Sequence, residues 1–185
     1  FIIGAWDDII GFAVDLSESL SAFSQNMLTI SAGIGIYPPK YPVSAMAREV
    51  GELEEFSKSY PGKNAVTVFD ENGTYSWDAF INGVLEEKYR VIADFFENCE
   101  NTRGKAFLYH LLDYIRNCDD KINMARFAYT LTRLEPDDKA SDEQKELYRD
   151  FSFKMYKWLK NEEDRRQMVT AIYLYVYSIR ERQEI

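Results

Sequence analysis

The feature that most constrains the fold is a change of hydrophobic period along the chain. Through Leu28–Ile36, apolar residues alternate with small or polar ones, which predicts a β-strand with one small, polar face. After the turn Asp70-Glu71-Asn72-Gly73, apolar residues recur every three or four positions, as on the buried face of a helix. The first pattern needs a sheet and the second a helical bundle, so we predict an α+β fold with an all-α domain behind it.

The first 70 residues are predicted to run strand, helix, strand, helix, strand. Phe1-Ile2-Ile3 has the composition of a short buried strand, and Asp7 or Asp8 is placed to cap the next helix. Pro42 suits the first turn of the second helix, because proline has no N–H to leave unpaired there. Ala65–Phe69 supplies the last strand. The predicted architecture is a partial palm or ferredoxin-like sheet with helices on one face.

Five amphipathic helices are predicted from residue 76 onward. Ser76 is placed to cap the first, Ser141 with Gln144 forms a capping box before the fourth, and Asn161 is placed to cap the fifth. The tract 172–177 also alternates as a strand would, but its charged flanks favour a helix. We therefore predict two domains, residues 1–70 and 71–185.

The overall charge argues against a nucleic-acid or membrane surface spread over the whole chain. The net charge is −9 and the pI is about 4.8, so any contact with nucleic acid must be local. No apolar run approaches the roughly 20 residues that span a bilayer. Two cysteines, Cys99 and Cys118, are too few for a disulfide framework and predict reduced thiols in the cytoplasm.

Several short motifs of the first domain occur in the order found in a known enzyme class. They resemble the closing half of GGDEF-type nucleotide cyclases: Thr29–Gly35, Met46-Ala47, Ser57-Lys58 and Gly62-Lys63-Asn64. Phe1–Asp8 and Lys40–Ala47 are more similar still to the second palm domain of the large signature subunit of type III, Csm-type (III-A), CRISPR–Cas effector complexes. In the second domain, Lys105–Tyr109 and Ala125–Arg133 are similar to the helical domain of that family.

The resemblance implies a function for the intact protein that this chain alone would not perform. The family polymerises ATP into cyclic oligoadenylate, with magnesium or manganese, when target RNA binds, and it also cuts single-stranded DNA. Its metal-binding aspartates lie in a GGDD turn, expected just upstream of Phe1, so no catalytic residue and no metal ligand is assigned here. The expected partners are the other Csm-type subunits, CRISPR RNA, target RNA and ATP. The chain is interpreted as an inactive C-terminal fragment.

By the same resemblance, four residues are assigned to nucleotide binding: Ser31, Gly33, Lys58 and Lys63. A glycine lets a nucleotide approach the strand closely, and the two lysines match cations that meet triphosphate charge in the family. Lys63 stands where GGDEF enzymes have arginine, and a lysine cannot make the bidentate contact of a guanidinium. The interval from Lys58 to Lys63 is also a residue longer than in those enzymes.

Simpler interpretations stay open for each of these residues. Gly33 and Gly35 could relieve packing beneath a helix, and Lys58 and Lys63 could be surface lysines. Arg126 and Arg133 are seven residues apart on one helix face, and they could contact RNA, another subunit or carboxylates of their own domain. The alternative function is a scaffold that docks other subunits without binding nucleotide. A free-standing diguanylate cyclase is disfavoured by the long helical domain and by the missing GGDEF turn.

Overall fold

The computed structural model describes residues 1–98 and 105–184, and it divides into two compact units, Phe1–Asn82 and Gly83–Ile185. The first contains a small mixed sheet and two long helices, and the described residues of the second form helices joined by short turns. This confirms the predicted fold class, a partial palm sheet followed by a helical domain. The domain limits of 1–70 and 71–185 stay a prediction.

The first unit is built on a three-stranded sheet in the order β1-β2-β3. Its elements in chain order are α1 (Trp6–Ser24), β1 (Ala32–Ile34), α2 (Val43–Ser59), β2 (Ala65–Val68) and β3 (Thr74–Ser76). β1 runs parallel to β2, with Gly33 opposite Thr67, and β3 pairs antiparallel with β2, with Thr74 opposite Thr67. All four residues of β2 are fully buried, so the middle strand forms the centre of this core.

The beginning of this unit differs from the prediction. Phe1, Ile2 and Ile3 form no strand and are 70%, 59% and 61% exposed, because a strand requires a paired neighbour and β1 bonds only β2. The predicted caps Asp7 and Asp8 lie inside the first turn of α1, where their charge favours the positive end of the helix dipole.

Three further boundaries of the first unit also differ. The strand predicted over Leu28–Ile36 is shortened to β1, because only those residues have partners on β2. Pro42 is the N-cap of α2 rather than a residue of its first turn. The short strand β3 was not predicted, since the residues before Ser76 were interpreted only as a turn leading into a helix.

The helices from Ala79 onward follow the predicted pattern closely. A π-helix, Ala79–Tyr89, continues into α3 (Arg90–Asn98), followed by α4 (Lys105–Arg116), α5 (Lys121–Thr132), α6 (Asp142–Leu159) and α7 (Glu162–Glu184). All three predicted caps are confirmed: Ser76 Oγ accepts from the Ala79 amide at 3.1 Å, Ser141 and Gln144 form the capping box, and Asn161 accepts from the Glu163 amide. The ambiguous tract 172–177 is helical.

The core of the second unit is dense and aromatic. Helix α4 packs on α5 and α7, and α6 packs on α3 and α7. The rings of Phe95 and Phe151 stack with centroids 3.9 Å apart, and both side chains are 1% exposed. Stacked rings add to the free energy gained by burying their area, so this pair anchors α3 to α6.

Candidate functional site

Ser31 and Lys63, two of the four residues assigned to nucleotide binding, are in direct contact. β1 and β2 are parallel, so the residues that precede them meet at the same edge of the sheet. The Ser31 hydroxyl donates to the Lys63 carbonyl oxygen at 2.6 Å. Gly62 and Lys63 both have positive φ angles, 85° and 53°, which form the tight turn into β2. The contact fixes the Lys63 backbone against the start of β1.

Gly33 makes room for helix α2. A Cβ at this position would lie 2.6 Å from both the Glu54 amide nitrogen and the Val50 carbonyl oxygen. Real Cβ atoms do not approach backbone that closely, so only glycine lets α2 sit this near to β1. The space left by the absent side chain is therefore filled by the helix, and the nucleotide role of Gly33 stays a prediction.

Lys58 lies in the last turn of α2 and is held by two carboxylates. Its Nζ is 2.9 Å from Glu54 and 3.3 Å from Glu55, and the side chain is 45% exposed. The hydrogen bonds to Glu54, and then to Glu55, raise the pKa of Lys58 above its ordinary value. The ammonium is thus firmly charged, but it must leave one or both carboxylates before it can bind a phosphate.

A row of hydroxyl groups, which the sequence analysis missed, joins α2 to the sheet. The Ser57 hydroxyl donates to the Ala32 carbonyl oxygen at 2.6 Å and lies 2.8 Å from the Thr67 hydroxyl. Thr67 in turn lies 2.9 Å from Thr74. Ser57 is fully buried, one position before Lys58. Its hydrogen bonds therefore fix the position of the part of α2 that carries Lys58. The signal in the sequence is a serine four residues after Leu53, on the buried stripe of α2.

Two tyrosines, also missed, lie beyond the end of β1. The rings of Tyr37 and Tyr41 stack with centroids 5.0 Å apart, and the Tyr41 hydroxyl donates to Glu49 at 2.5 Å. That hydrogen bond raises the pKa of Tyr41, and burial is the main cause of the raised pKa of Tyr37. The Tyr37 ring covers Gly35, where a Cβ would lie 2.5 Å from it.

An apolar groove of about 610 Å³ opens in the same unit between α1, β1 and α2. Its walls are formed largely by Phe12 and Leu16 of α1, Ile34 of β1, and Met46 and Val50 of α2. Within residues 1–98 and 105–184, no group of three or more His, Cys, Asp or Glu side chains is placed to hold a metal ion. The described residues do not, by themselves, fit a magnesium or manganese site.

Arg126 and Arg133 belong to the second unit. Both are exposed, Arg126 on α5 and Arg133 at its C-cap. Arg126 donates to the Asn123 side-chain oxygen at 3.4 Å, a long contact with a neutral acceptor. Their assignment as partner or RNA contacts stays a prediction.

Comparison with known proteins covers nearly the whole chain. Residues 1–67 match the model of the Cas10/Cmr2 second palm domain, and residues 93–181 match that of the second helical domain of the CRISPR RNA silencing complex Cmr2 subunit. The chain belongs to the Cas10 family. This confirms the resemblance deduced from the motifs, and it assigns the β1–α2–β2 site to a Cas10 palm domain.

Curated relatives support the same family. The chain is 46% identical over 182 residues to a protein of Mycobacterium tuberculosis, 40% over 183 residues to one of Streptococcus thermophilus and 38% over 181 residues to one of Enterococcus italicus. Each is named CRISPR system single-strand-specific deoxyribonuclease Cas10/Csm1 (subtype III-A). The alignments cover 97–98% of this chain but only 22–24% of those proteins, so the chain spans about a quarter of their length.

A buried charge cluster in the second unit was not predicted either. The Lys88 side chain is 2% exposed, and its Nζ lies 2.5 Å from Glu87, 2.7 Å from Asp164 and 5.3 Å from the centre of the Trp158 ring. Burial alone would raise the pKa of Glu87, but hydrogen bonds from Lys88 and Trp158 together lower it. No periodic pattern indicates such a residue, because a lysine inside a helix is normally exposed.

Two other sequence predictions concern compartment. Cys118 is buried with a free thiol, whereas Cys99 lies outside the described residues. No helix in the described parts of the chain is both long and apolar enough to cross a membrane.

Proposed function

We propose that the protein carrying this chain is the large subunit of a cytoplasmic subtype III-A CRISPR effector complex, assembled with other Csm-type subunits and CRISPR RNA. Relatives that align with almost all of this chain carry the name of a single-strand-specific deoxyribonuclease of that subtype. The intact protein then cuts single-stranded DNA, by chemistry located outside this chain. That activity is inferred from the names of the relatives.

The second part of the proposal is that the palm domain binds ATP and forms cyclic oligoadenylate from it. The observation that carries this proposal is the Ser31 to Lys63 hydrogen bond, because it brings two of the four expected residues together at one edge of the sheet. Lys58 lies next to Ser57, which bonds to Ala32 immediately after Ser31. The expected residues thus lie on three adjacent segments: the start of β1, the end of α2 and the turn before β2.

In this proposal the chain's own contribution is positional and electrostatic. Lys58 and Lys63 offset triphosphate charge, and the turn at Lys63 presents backbone close to the ligand. Phosphoryl transfer depends mainly on such positioning and charge stabilisation. Magnesium or manganese, if held by the intact protein, would supply further neutralisation of phosphate charge. Its carboxylate ligands would come from outside the residues described.

The second candidate is a scaffold that docks other subunits and makes no productive nucleotide contact. Two observations favour it. The space beside Gly33 is filled by α2 rather than left open, and Lys58 is already paired with Glu54 and Glu55. In this interpretation both residues serve only the packing and solvation of α2.

Calorimetric titration of ATP with manganese into the intact protein distinguishes the two candidates. We expect Lys58→Ala to weaken ATP binding about tenfold, equivalent to about 1.4 kcal/mol. Lys40→Ala, which removes another exposed lysine of the same unit, is the matched control and should leave affinity unchanged. Glu54→Gln combined with Glu55→Gln should tighten binding, because the two carboxylates no longer compete for Lys58.

Unchanged affinity in a folded Lys58→Ala protein would show that Lys58 does not contribute to ATP binding, and it would favour the scaffold. Absence of ATP binding by the unmodified protein would overturn the nucleotide proposal as a whole.

A further inference from the structure

We propose that the π-helix Ala79–Tyr89 is a two-state element, held in its wide form by the buried Lys88 cluster. The Lys88 cluster consists of Lys88, Glu87, Trp158 and Asp164, all of which belong to the second unit. When the cluster is broken, the segment takes the narrower α-helical register. This inference concerns a conformational switch, and it is independent of the nucleotide and nuclease activities proposed above.

The segment is wide although its sequence is that of an α-helix. Val84 and Ile92 are buried four residues before and four residues after buried Lys88, which is an α-helical spacing. Residues 85–88 are Leu, Glu, Glu and Lys, all strong formers of α-helix. The π-helix nevertheless runs over 11 residues, whereas most π-helical stretches are single turns within an α-helix. The α-helical register is therefore a competing state, and contacts elsewhere in the fold favour the wide one.

Two adjacent side chains of the segment share one partner on α6. Trp158 Nε1 donates to Glu87 Oε1 at 3.1 Å, and Lys88 Nζ lies 5.3 Å from the centre of the same Trp158 ring. In an α-helix, adjacent side chains diverge by about 100°, one turn divided among 3.6 residues, and they do not face one another. A π-helical turn contains more residues, so adjacent side chains diverge less. The shared contact with Trp158 therefore favours the wide register.

Helix α7 holds the same segment through two residues of one face. Lys88 is 2% exposed, and its Nζ lies 2.7 Å from Asp164. Loss of that carboxylate would leave a buried charge without full compensation. Three residues further along α7, Gln167 lies over Gly83, where a Cβ would be 2.6 Å from its side-chain oxygen. Lys88 is the charged member of this contact, so we expect it to determine which register the segment adopts.

Hydrogen exchange of the intact protein, measured by mass spectrometry, tests whether the segment opens by itself. In the unmodified protein, we expect the amides of residues 84–92 to exchange faster than those of α4, because a two-state element opens locally before its unit unfolds. Lys88→Met should speed exchange over 84–92 at least about tenfold, equivalent to about 1.4 kcal/mol. Lys154→Met, which removes a lysine paired with Asp150 on α6, is the matched control and should leave this exchange unchanged.

A structure of the intact protein carrying Lys88→Met, determined by electron cryomicroscopy, tests the register directly. We expect hydrogen bonds from residue i to i+4 across 83–89, with Glu87 turned away from Trp158. Asp164→Asn keeps the lysine and changes only a carboxylate that is 28% exposed. It serves as a second variant if Lys88→Met does not fold, and we expect the same change of register.

Retention of the wide helix in a folded variant, with Trp158 still bonded to Glu87, would overturn the proposal. So would exchange of residues 84–92 at the same rate as α4, in either protein, because the cluster would then stabilise the unit as a whole rather than select a register. Neither measurement uses ATP or nucleic acid, so failure here is distinguishable from failure of the nucleotide proposal.

Discussion

The two units of the chain bury their apolar residues to very different degrees. In the helical unit, Phe127 and Met155 are 0% exposed and Trp158 is 1% exposed. In the palm unit, Phe23 is 87% exposed and Met27 is 84% exposed, and the apolar start of the chain is also open to solvent. The helical unit has a dense core of its own, although Ile122 and Phe153 are 59% and 69% exposed. The palm unit has a buried sheet but leaves much of the apolar side of α1 uncovered.

This difference indicates which unit depends on its surroundings. Contiguous exposed apolar surface on a folded protein marks a contact with something else. We therefore expect substitutions in the helical core to act through stability, and substitutions on the outer side of α1 to have little effect on the fold of this chain. The predictions below test that contrast, from the largest expected effect to the smallest.

The largest effect is expected from Phe151→Ala in the helical unit. The change removes a ring that is 1% exposed and stacked on Phe95, which should destabilise the unit by about 3–5 kcal/mol. Phe23→Ala, at an 87% exposed position, should change stability by less than about 0.5 kcal/mol. Hydrogen exchange of α6 and α1 amides in the intact protein measures both. Similar losses of stability in the two variants would contradict the expected difference between the helical core and the outer side of α1.

An intermediate effect is expected from Gly33→Ala in the palm unit. The new methyl group would meet the backbone of α2 at 2.6 Å and could not rotate away, so we expect a loss of about 1–3 kcal/mol. Gly51→Ala on α2 is the matched control: its Cβ would meet nothing within 4 Å, and it should stabilise the helix by about 0.5–1 kcal/mol. Hydrogen-exchange rates of the α2 amides measure the change in stability in both variants. Tolerance of Gly33→Ala would show that α2 can move away from β1.

The smallest effect is a pH dependence of the helical unit. The folded-state pKa of Glu87 is lowered, so its stabilising contribution is present above the unfolded-state pKa of about 4.3 and is lost as pH falls through the folded-state value. Because Glu87 is 45% exposed, the contribution should not exceed about 1 kcal/mol. Glu87→Gln should lower the free energy of unfolding at pH 7 and should make that free energy decrease less as the pH falls.

Glu86→Gln is the control for this measurement. Glu86 pairs with Arg90 in a largely exposed contact. Its replacement should therefore leave the decrease in unfolding free energy at acid pH unchanged. If Glu87→Gln also leaves that decrease unchanged, the Lys88 cluster does not stabilise the unit through Glu87.

The sequence predicts best those features that local chemistry determines. The caps at Ser76, Ser141 and Asn161 depend on side chains within three residues of a helix start, and all three are confirmed. The strand predicted at Phe1–Ile3 failed because strands depend on partners elsewhere in the chain. The three-residue strand β3 was missed for the same reason, since only pairing with β2 distinguishes it from a turn.

The same distinction between local and long-range features applies to the candidate site. Motif order predicts nucleotide binding by Ser31, Gly33, Lys58 and Lys63, which stays a prediction. It could not show that Ser31 contacts the backbone of Lys63 or that α2 fills the space at Gly33. Those facts depend on the register between β1 and β2 and on the approach of a helix, which no local pattern specifies. The burial of Lys88 was likewise beyond sequence reasoning, because its partner Asp164 is distant in the chain.

The hydroxyl row between α2 and the sheet has a consequence for how firmly Lys58 is positioned. Ser57 gives its hydrogen to Ala32, and Thr74 gives its hydrogen to Glu71. Thr67 then has one proton for two neighbouring oxygens, those of Ser57 and Thr74. The Ser57 bond to Ala32 ties α2 to β1 whichever way the Thr67 proton turns, so the position of Lys58 depends more on Ser57 than on Thr67.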